Sequence, residues 1–418
     1  MKSQLEQFRQ FLYRMYSLGY LTSAAGVALN RLTQVLIQIL LARILTGPDY
    51  SSFYFHFAAI TGLSMFIGDG IGLASSRLLS SQTGTAAPRI ISLAVIAGFI
   101  ASFCAALLVA THLFLSDSEP VSKLLLTLLI VYSFSLSFLS VLQYIMICIG
   151  QKAYLAKTQI AFSALSLILT LSAASRWGWS AALISLLVCV LGSNILLLKK
   201  AFRYQDFLKV IREDLGGVTQ LIKNALPICG SMALGGPVHV YCLSILKSST
   251  ADRPNELGVF GLSFVTYTIV SFIPGAFGQF LVPWLLKNEK LSTKDAFKYV
   301  TKLYAVAGFF ILIVIFIANG IGFDGFLPTI AKGEKSIYLL AGTGLLGGFI
   351  ALYSYFLNAI YKSHFVLFST IYYSVSYILL TTLLVQHLNW GAVGLSCSIL
   401  ASSAGQLFVL SYIKKGNE

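Results

Sequence analysis

Apolar runs long enough to cross a lipid bilayer follow one another along nearly the whole of this sequence. A helix rises about 1.5 Å per residue, so roughly 20 apolar residues span the hydrocarbon core. Twelve runs meet that need, at about 21–42, 53–76, 90–115, 124–149, 158–175, 180–198, 225–246, 258–286, 303–323, 338–360, 365–386 and 392–413. With 57% hydrophobic and 11% charged residues, a soluble domain could not hide so much apolar surface. A membrane β-barrel would show short alternating segments in place of long runs. The expected fold is an all-α polytopic membrane protein of twelve transmembrane helices.

The net charge of +14 does not mark a nucleic-acid binder, because the basic residues form no single patch. They sit in short connections, mostly alternate ones. With the N-terminus placed in the cytosol, the inner segments carry 21 Lys and Arg and the outer connections 7, leaving only Arg31. That bias places both termini in the cytosol. Residues 3–18 have Leu5, Phe8, Leu12 and Met15 at helical spacing, which predicts an interfacial helix before the first span. The first apolar run is too long for a signal peptide and is expected to be retained. Residues 199–224, with Phe207, Leu208, Ile211 and Leu215 in amphipathic spacing, form the longest connection. The expected division is therefore 1–198, a cytosolic amphipathic linker at 199–224, and 225–418.

The two halves repeat each other. At an offset of 207, Asp49-Tyr50 aligns with Glu256-Leu257, Phe53 with Phe260, Phe57 with Phe264, Ser64 with Ser271 and Gly68 with Gly275. At an offset of 210, Lys152 aligns with Lys362, Ser166 with Ser376, Ile168-Leu169 with Ile378-Leu379 and Ala182 with Ala392. Six spans per half is an even number, so both halves have the same orientation. The expected result is two six-helix bundles around a central cavity, related by an axis along the membrane normal.

The sharpest chemical signal lies in LNRLTQVLIQILLARIL, where Asn30, Arg31, Gln34 and Gln38 interrupt an apolar run. Arg31, Gln34 and Gln38 share one helical face. Arg31 stands roughly 15 Å from the helix start, near the bilayer midplane. A charge there costs about 2.5–3.5 kcal/mol even on lenient scales, so it must face protein, an anion or water. One reading is an anion site on the central cavity, where a guanidinium suits phosphate oxygens. The other is an internal ion pair with Asp69. Asp69, in MFIGDGIGLASSR, is in turn a counter-charge to Arg31, a proton or cation carrier, or a hydrated group near the headgroups. Arg77 is a headgroup anchor or a first contact for a phosphate.

The seventh span holds Pro227, Gly230, Gly235, Gly236 and Pro237, and a kink is expected at Pro237. The eighth holds Pro274, Gly275 and Pro283. Broken helices beside a cavity suit a gate. His239, beside the kink, is either a substrate or proton contact or a buried structural histidine. Tyr353, Tyr355, Tyr361, Tyr372, Tyr373 and Tyr377 cluster late; such rings can hold sugars, or simply pack and form interfacial belts. The six cysteines lie in apolar runs without metal-ligand spacing and read as core residues. No Walker loop, HExxH or GxSxG is present, and no catalytic set, metal or cofactor is implied.

Several stretches carry a family resemblance. The run LNRLTQVLIQILLARILTGPDYSSFYFHFAAITGLSMFIGDGIGLASSRLLSS resembles the opening of the polysaccharide flippases, with an arginine-bearing first span and a glycine-rich second span ending in arginine. NELGVFGLSFVTYTIVSFIPGAFGQFLVPWLLK is similar to their eighth span. QKAYLAKTQIAFSALSLILTL with GWSAAL, and YKSHFVLFSTIYYSVSYILLTTLL with NWGAVGL, are similar to their fifth and eleventh. The chain thus resembles the O-antigen flippase (Wzx) type of the multidrug/oligosaccharidyl-lipid/polysaccharide (MOP) exporter superfamily. The resemblance implies a MATE-like fold and a non-enzymatic role in O-antigen, lipopolysaccharide or other polysaccharide biosynthesis. The implied substrate is an undecaprenyl-diphosphate-linked oligosaccharide, moved from the cytosolic to the periplasmic leaflet of a bacterial inner membrane by alternating access. Coupling to H+ or Na+, and partnership with polymerase and chain-length proteins of the same pathway, are also implied. Arg31 matches the family's cationic position in the first span. Ser51 replaces the usual glycine of the DYG turn. His239 is all the seventh span offers where other members carry cations.

Three other readings stand beside this one. A small-molecule or drug exporter of the same fold would more typically carry acidic cavity residues. A polytopic glycosyltransferase or polymerase would need a large external loop with catalytic residues. A non-transporting scaffold makes no demand on the cavity.

Overall fold

Inside lipid no water satisfies a free peptide group, so each spanning segment must close its own backbone hydrogen bonds. The computed structural model describes residues 20–81, 86–116, 122–202, 215–271, 293–320, 334–360 and 362–415, and these are helical almost throughout. In order they form α1 (Tyr20–Ile44), α2 (Gly47–Ser81), α3 (Ala86–Ser116), α4 (Lys123–Cys148), α5 (Lys152–Phe202) and α6 (Leu215–Ala233). There follow α7 (Gly235–Ser249), α8 (Glu256–Val270), α9 (Thr293–Gly320), α10 (Glu334–Ala359), α11 (Ser363–Thr381) and α12 (Gly391–Lys415). A π turn, Thr382–His387, extends α11.

At 51 residues, α5 is far too long for one crossing. Its helix breaks at Gly178, with φ +77°. The Tyr154 hydroxyl donates to the Leu196 carbonyl at 3.3 Å, so the two arms run back alongside each other as separate spans. α6 and α7 make one span bent by 41°. Among the described residues, nine helices are long and apolar enough to cross a membrane. Counting both arms of α5, and α6 with α7 as one, gives eleven crossings. α8 starts another, of which 15 residues are described. The order agrees with the twelve apolar runs. The interfacial segment 3–18, linker residues 203–214, Pro274, Gly275, Pro283 and Tyr361 lie outside the described residues.

The bend of the seventh span is not at Pro237. It falls at Leu234, and Pro237 sits in the first turn of α7. A proline ring clashes with the carbonyl four residues back, here that of Ala233, the last residue of α6. The helix therefore breaks before the proline, which then starts the next helix without strain.

The distribution of side chains is that of a protein in lipid. α9 turns Val306, Phe309, Phe310 and Val314 outward, Phe310 with 65% of its surface open. Polar residues turn inward: Ser64 and Ser133 hydroxyls meet at 2.7 Å, and the Asn194 amide donates to the Ser135 carbonyl at 2.7 Å. Small residues and interhelical hydrogen bonds are what hold helices together where lipid is as apolar as leucine.

The helices form two bundles, α1–α5 and α6–α12, and α2 is the seam between them. At one end the Ser51 hydroxyl donates to the Pro254 carbonyl at 2.9 Å. Midway along α2, Gly62 lies so close against Gly236 that a Cβ on Gly236 would collide with the Gly62 oxygen. At the far end Arg77 reaches α10 and α11. The repeat is visible in the backbone. α5 starts at Lys152, and the aligned Lys362 caps α11. Each pair then reverses through positive φ, at Gly178 in one half and at Asn389 and Gly391 in the other.

Candidate functional site

The polar face of α1 opens into a cavity of about 230 Å³ within the first bundle. Asn30, Arg31, Gln34 and Gln38 all line it. α4 adds Ser140 and Gln143, α5 adds Gln159 and Ser166, and α8 contributes Thr268 from the second bundle. The Asn30 amide oxygen accepts from Ser163 of α5 at 3.0 Å. That bond pins the first turn of the polar face and leaves the next residue, Arg31, directed at the cavity. The Arg31 guanidinium makes no hydrogen bond and no ion pair with the described residues. Gln159, 4% exposed, has neither amide atom hydrogen-bonded among the described residues. A buried amide and a guanidinium left open in one cavity make a site with donors to spare.

Asp69 is not on this wall. It stands on α2 between Gly68, which packs on Ser137 of α4, and Gly70, which packs on Cys229 of α6. Its carboxylate lies beside Ser140 and feels Arg31 through space, and its Oδ1 has no partner among the described residues. Tyr144 of α4 and Tyr355 of α10 lie within the field of both charges. The two intramembrane charges therefore act on each other at the bundle seam without a direct contact. Among the described residues no salt bridge joins Asp69 to Arg31.

Arg77 is 8% exposed, too buried to anchor a headgroup. Its guanidinium donates to the Asn358 carbonyl and to the Ser363 hydroxyl, the latter at 3.2 Å. It is a bundle-to-bundle contact and does not line the Arg31 cavity.

His239 is also separate from Arg31. It lines a second cavity, of about 370 Å³, inside the second bundle. Its Nδ1 meets the Tyr377 hydroxyl at 3.0 Å, and its ring stacks on Phe264 at 5.0 Å. α8 stands between the two cavities: Phe264 and Tyr267 face the second, Thr268 the first. The expected single set of Arg31, Asn30, Gln34, Gln38, Arg77 and His239 is thus divided. Four residues share one cavity, His239 lines another, and Arg77 closes the seam.

Gln143, Gln159 and Ser140 were not anticipated, nor were Asn358, Thr370, Ser403 and Gln406 of the second cavity. The signal for the glutamines was present, since each interrupts an apolar run as Gln34 and Gln38 do.

Two matched helical bundles with a polar cavity define a multi-pass membrane protein. The sequence signature of the polysaccharide biosynthesis proteins matches residues 19–289, and the chain belongs to that family. It is 38% identical over 66 residues to the EPS I polysaccharide export inner membrane protein EpsE of Ralstonia nicotianae. That match spans 16% of this chain and 15% of EpsE. Among solved structures it resembles the eukaryotic MATE transporter AtDTX14, with a TM-score of 0.71 and 16% identity over 96% of both chains. A MOP superfamily transporter from Pyrococcus furiosus, described as having a binding pocket of reverse polarity, gives 0.60 and 15% over 96% of both chains. At such identities these likenesses show the fold alone, a MATE-like one.

Proposed function

We propose that this protein is a flippase for undecaprenyl-diphosphate-linked oligosaccharide, moving the repeat unit of an O-antigen or similar glycan from the cytosolic to the periplasmic leaflet of a bacterial inner membrane. The observation that carries this reading is an Arg31 guanidinium with no hydrogen bond or ion pair among the described residues, on an amide-lined cavity in a member of a polysaccharide biosynthesis family. A polyprenyl tail can stay in lipid throughout. The barrier is then the removal of water from a diphosphate and several hydroxyls. A guanidinium offers a fixed fork of donors to phosphate oxygens, and the glutamines replace water at neighbouring oxygens. The protein forms and breaks no bond; it lowers a desolvation cost.

Alternating access follows from two bundles joined along α2, with contacts at both of its ends that must break in turn. In the orientation given by the charge bias, both termini and the Arg77 end are cytosolic. Asp69 is the group for an H+ or Na+ to occupy, because its charge is felt at Arg31. Polymerase and chain-length proteins would take the product on the periplasmic side.

Lipid analysis of a strain lacking the protein tests the reading. The expected result is loss of surface glycan with accumulation of single lipid-linked units on the cytosolic side. Accumulation of periplasmic units would assign a polymerase instead. Normal glycan with raised drug sensitivity would assign a small-molecule exporter.

A further inference from the structure

The second cavity holds a different chemistry from the first. Among the described residues, no Asp, Glu, Lys or Arg stands on its wall. One side is a ladder of rings: His239 on Phe264 at 5.0 Å and Phe264 on Tyr267 at 4.8 Å, with Tyr373 nearby. The wall also carries neutral amides and hydroxyls, among them Asn358, Ser403 and Gln406. Asn358 is 1% exposed, yet neither its Oδ1 nor its Nδ2 has a hydrogen-bond partner among the described residues. The Nε2 of His239 is likewise buried and open.

We infer that this cavity binds a neutral sugar ring. An ion would enter it with no opposite charge to meet, at a full desolvation cost. An acyl chain would cover the Asn358 amide without satisfying it. A pyranose satisfies rings and amides at once. Its C–H face packs on aromatic rings, and its hydroxyls, each donor and acceptor, match amides that also do both. About 370 Å³ lies at the lower end of ligand pockets, which suits one ring better than a whole repeat unit. α8 lines both this cavity and the other, and Tyr267 on its wall lies in the field of Arg31. A ligand with an anionic group joined to a sugar would place one part in each bundle. That physiological meaning rests on the lipid-linked glycan reading, but the binding itself can be measured apart from it.

The whole protein in lipid nanodiscs would be mixed with neutral methyl pyranosides of the gluco, galacto, N-acetylglucosamino and 6-deoxymanno series, and saturation-transfer NMR recorded. At least one glycoside should receive saturation, and Asn358→Leu should weaken it by roughly fivefold or more. Gln406→Leu, away from the Arg77 contact, should do the same, with an unchanged unfolding midpoint showing that each variant is folded. No saturation of any glycoside, or equal signals in wild type and both variants, would overturn the sugar site. Farnesyl diphosphate serves as the separate probe of the Arg31 cavity. Sugar binding without diphosphate binding sinks the flippase reading and keeps the sugar site. Diphosphate binding without sugar binding does the reverse.

Discussion

The Arg77 guanidinium at the end of α2 donates to the Ser363 hydroxyl at the start of α11, at 3.2 Å, and to the Asn358 carbonyl that ends α10. One side chain thus ties the first bundle to two helices of the second. Charged hydrogen bonds of this kind are worth about 1.5–3 kcal/mol, and 1.4 kcal/mol is tenfold in a population. Arg77→Ala should therefore open that end of the seam by roughly tenfold or more. Cys229 reports it, because its sulfur lies under Gly70 of α2. Maleimide labelling of Cys229, as the sole remaining cysteine, should speed up in Arg77→Ala and stay close to the starting rate in Arg77→Lys. Unchanged labelling would show that Arg77 does not hold the bundles together.

Further along the same seam, packing replaces charge. A Cβ on Gly236 would meet the Gly62 carbonyl oxygen, a backbone atom that cannot rotate away. Overpacking of this kind costs about 1–3 kcal/mol. Gly235, one residue earlier, has nothing within 4 Å of its Cβ position. Gly236→Ala should lower the thermal unfolding midpoint in detergent while Gly235→Ala leaves it nearly unchanged. Equal midpoints for the two variants would contradict the close approach of α2 and α7.

The parts of this architecture that were readable in advance are those written locally. Arg31, Gln34 and Gln38 fall on one face because helical spacing alone puts them there, and the cavity contains all three. The aligned Lys152 and Lys362 mark equivalent helix starts for the same reason. The parts not readable depend on which helix lies behind another. His239 and Arg31 both interrupt apolar spans, yet α8 stands between their cavities. Arg77 finds its partners 281 and 286 residues away, and nothing in SSRLLSS names them. Asn358 is one amide in an apolar helix, and only the fold reveals that its two polar atoms have no partner among the described residues.

The reversal in α5 rests on one backbone conformation. Gly178 has φ +77° and ψ −165°, a region that side chains other than hydrogen rarely enter. Nothing lies within 4 Å of its Cβ position, so any cost of substitution comes from the backbone alone. Gly178→Ala should destabilise by about 1–3 kcal/mol, and Gly178→Asn should not rescue it, because this is not the left-handed helical region that asparagine tolerates. Thermal midpoints of both variants decide the matter. A neutral alanine variant would mean that the turn adopts another conformation.

Arg31 carries the anion reading, so its substitutions must order by chemistry and not by size. Lysine keeps the charge but not the planar fork; alanine loses both; glutamate reverses the sign. Surface glycan in a complemented deletion strain should be partial with Arg31→Lys and absent with Arg31→Ala or Arg31→Glu, at equal membrane abundance. In purified protein, Arg31→Ala should weaken diphosphate binding by roughly ten- to hundredfold, the range for losing charged hydrogen bonds. Full complementation by alanine would remove the anion site.

Asp69 tests whether the cavity is tuned from the seam. Its charge and that of Arg31 act on each other through space, so an ionised carboxylate lowers the positive potential that a diphosphate meets. Asp69→Asn removes that opposition and leaves the Ser140 neighbour an amide to pair with. Diphosphate binding should then tighten by roughly several-fold, and release should slow. Transport in proteoliposomes should become slower and lose its response to whichever imposed gradient, H+ or Na+, drives the wild type. Binding and transport must be measured together, since tighter binding with intact gradient response would leave Asp69 as a tuning charge only. Weaker binding in Asp69→Asn would reverse the sign of the coupling and refute the electrostatic link itself.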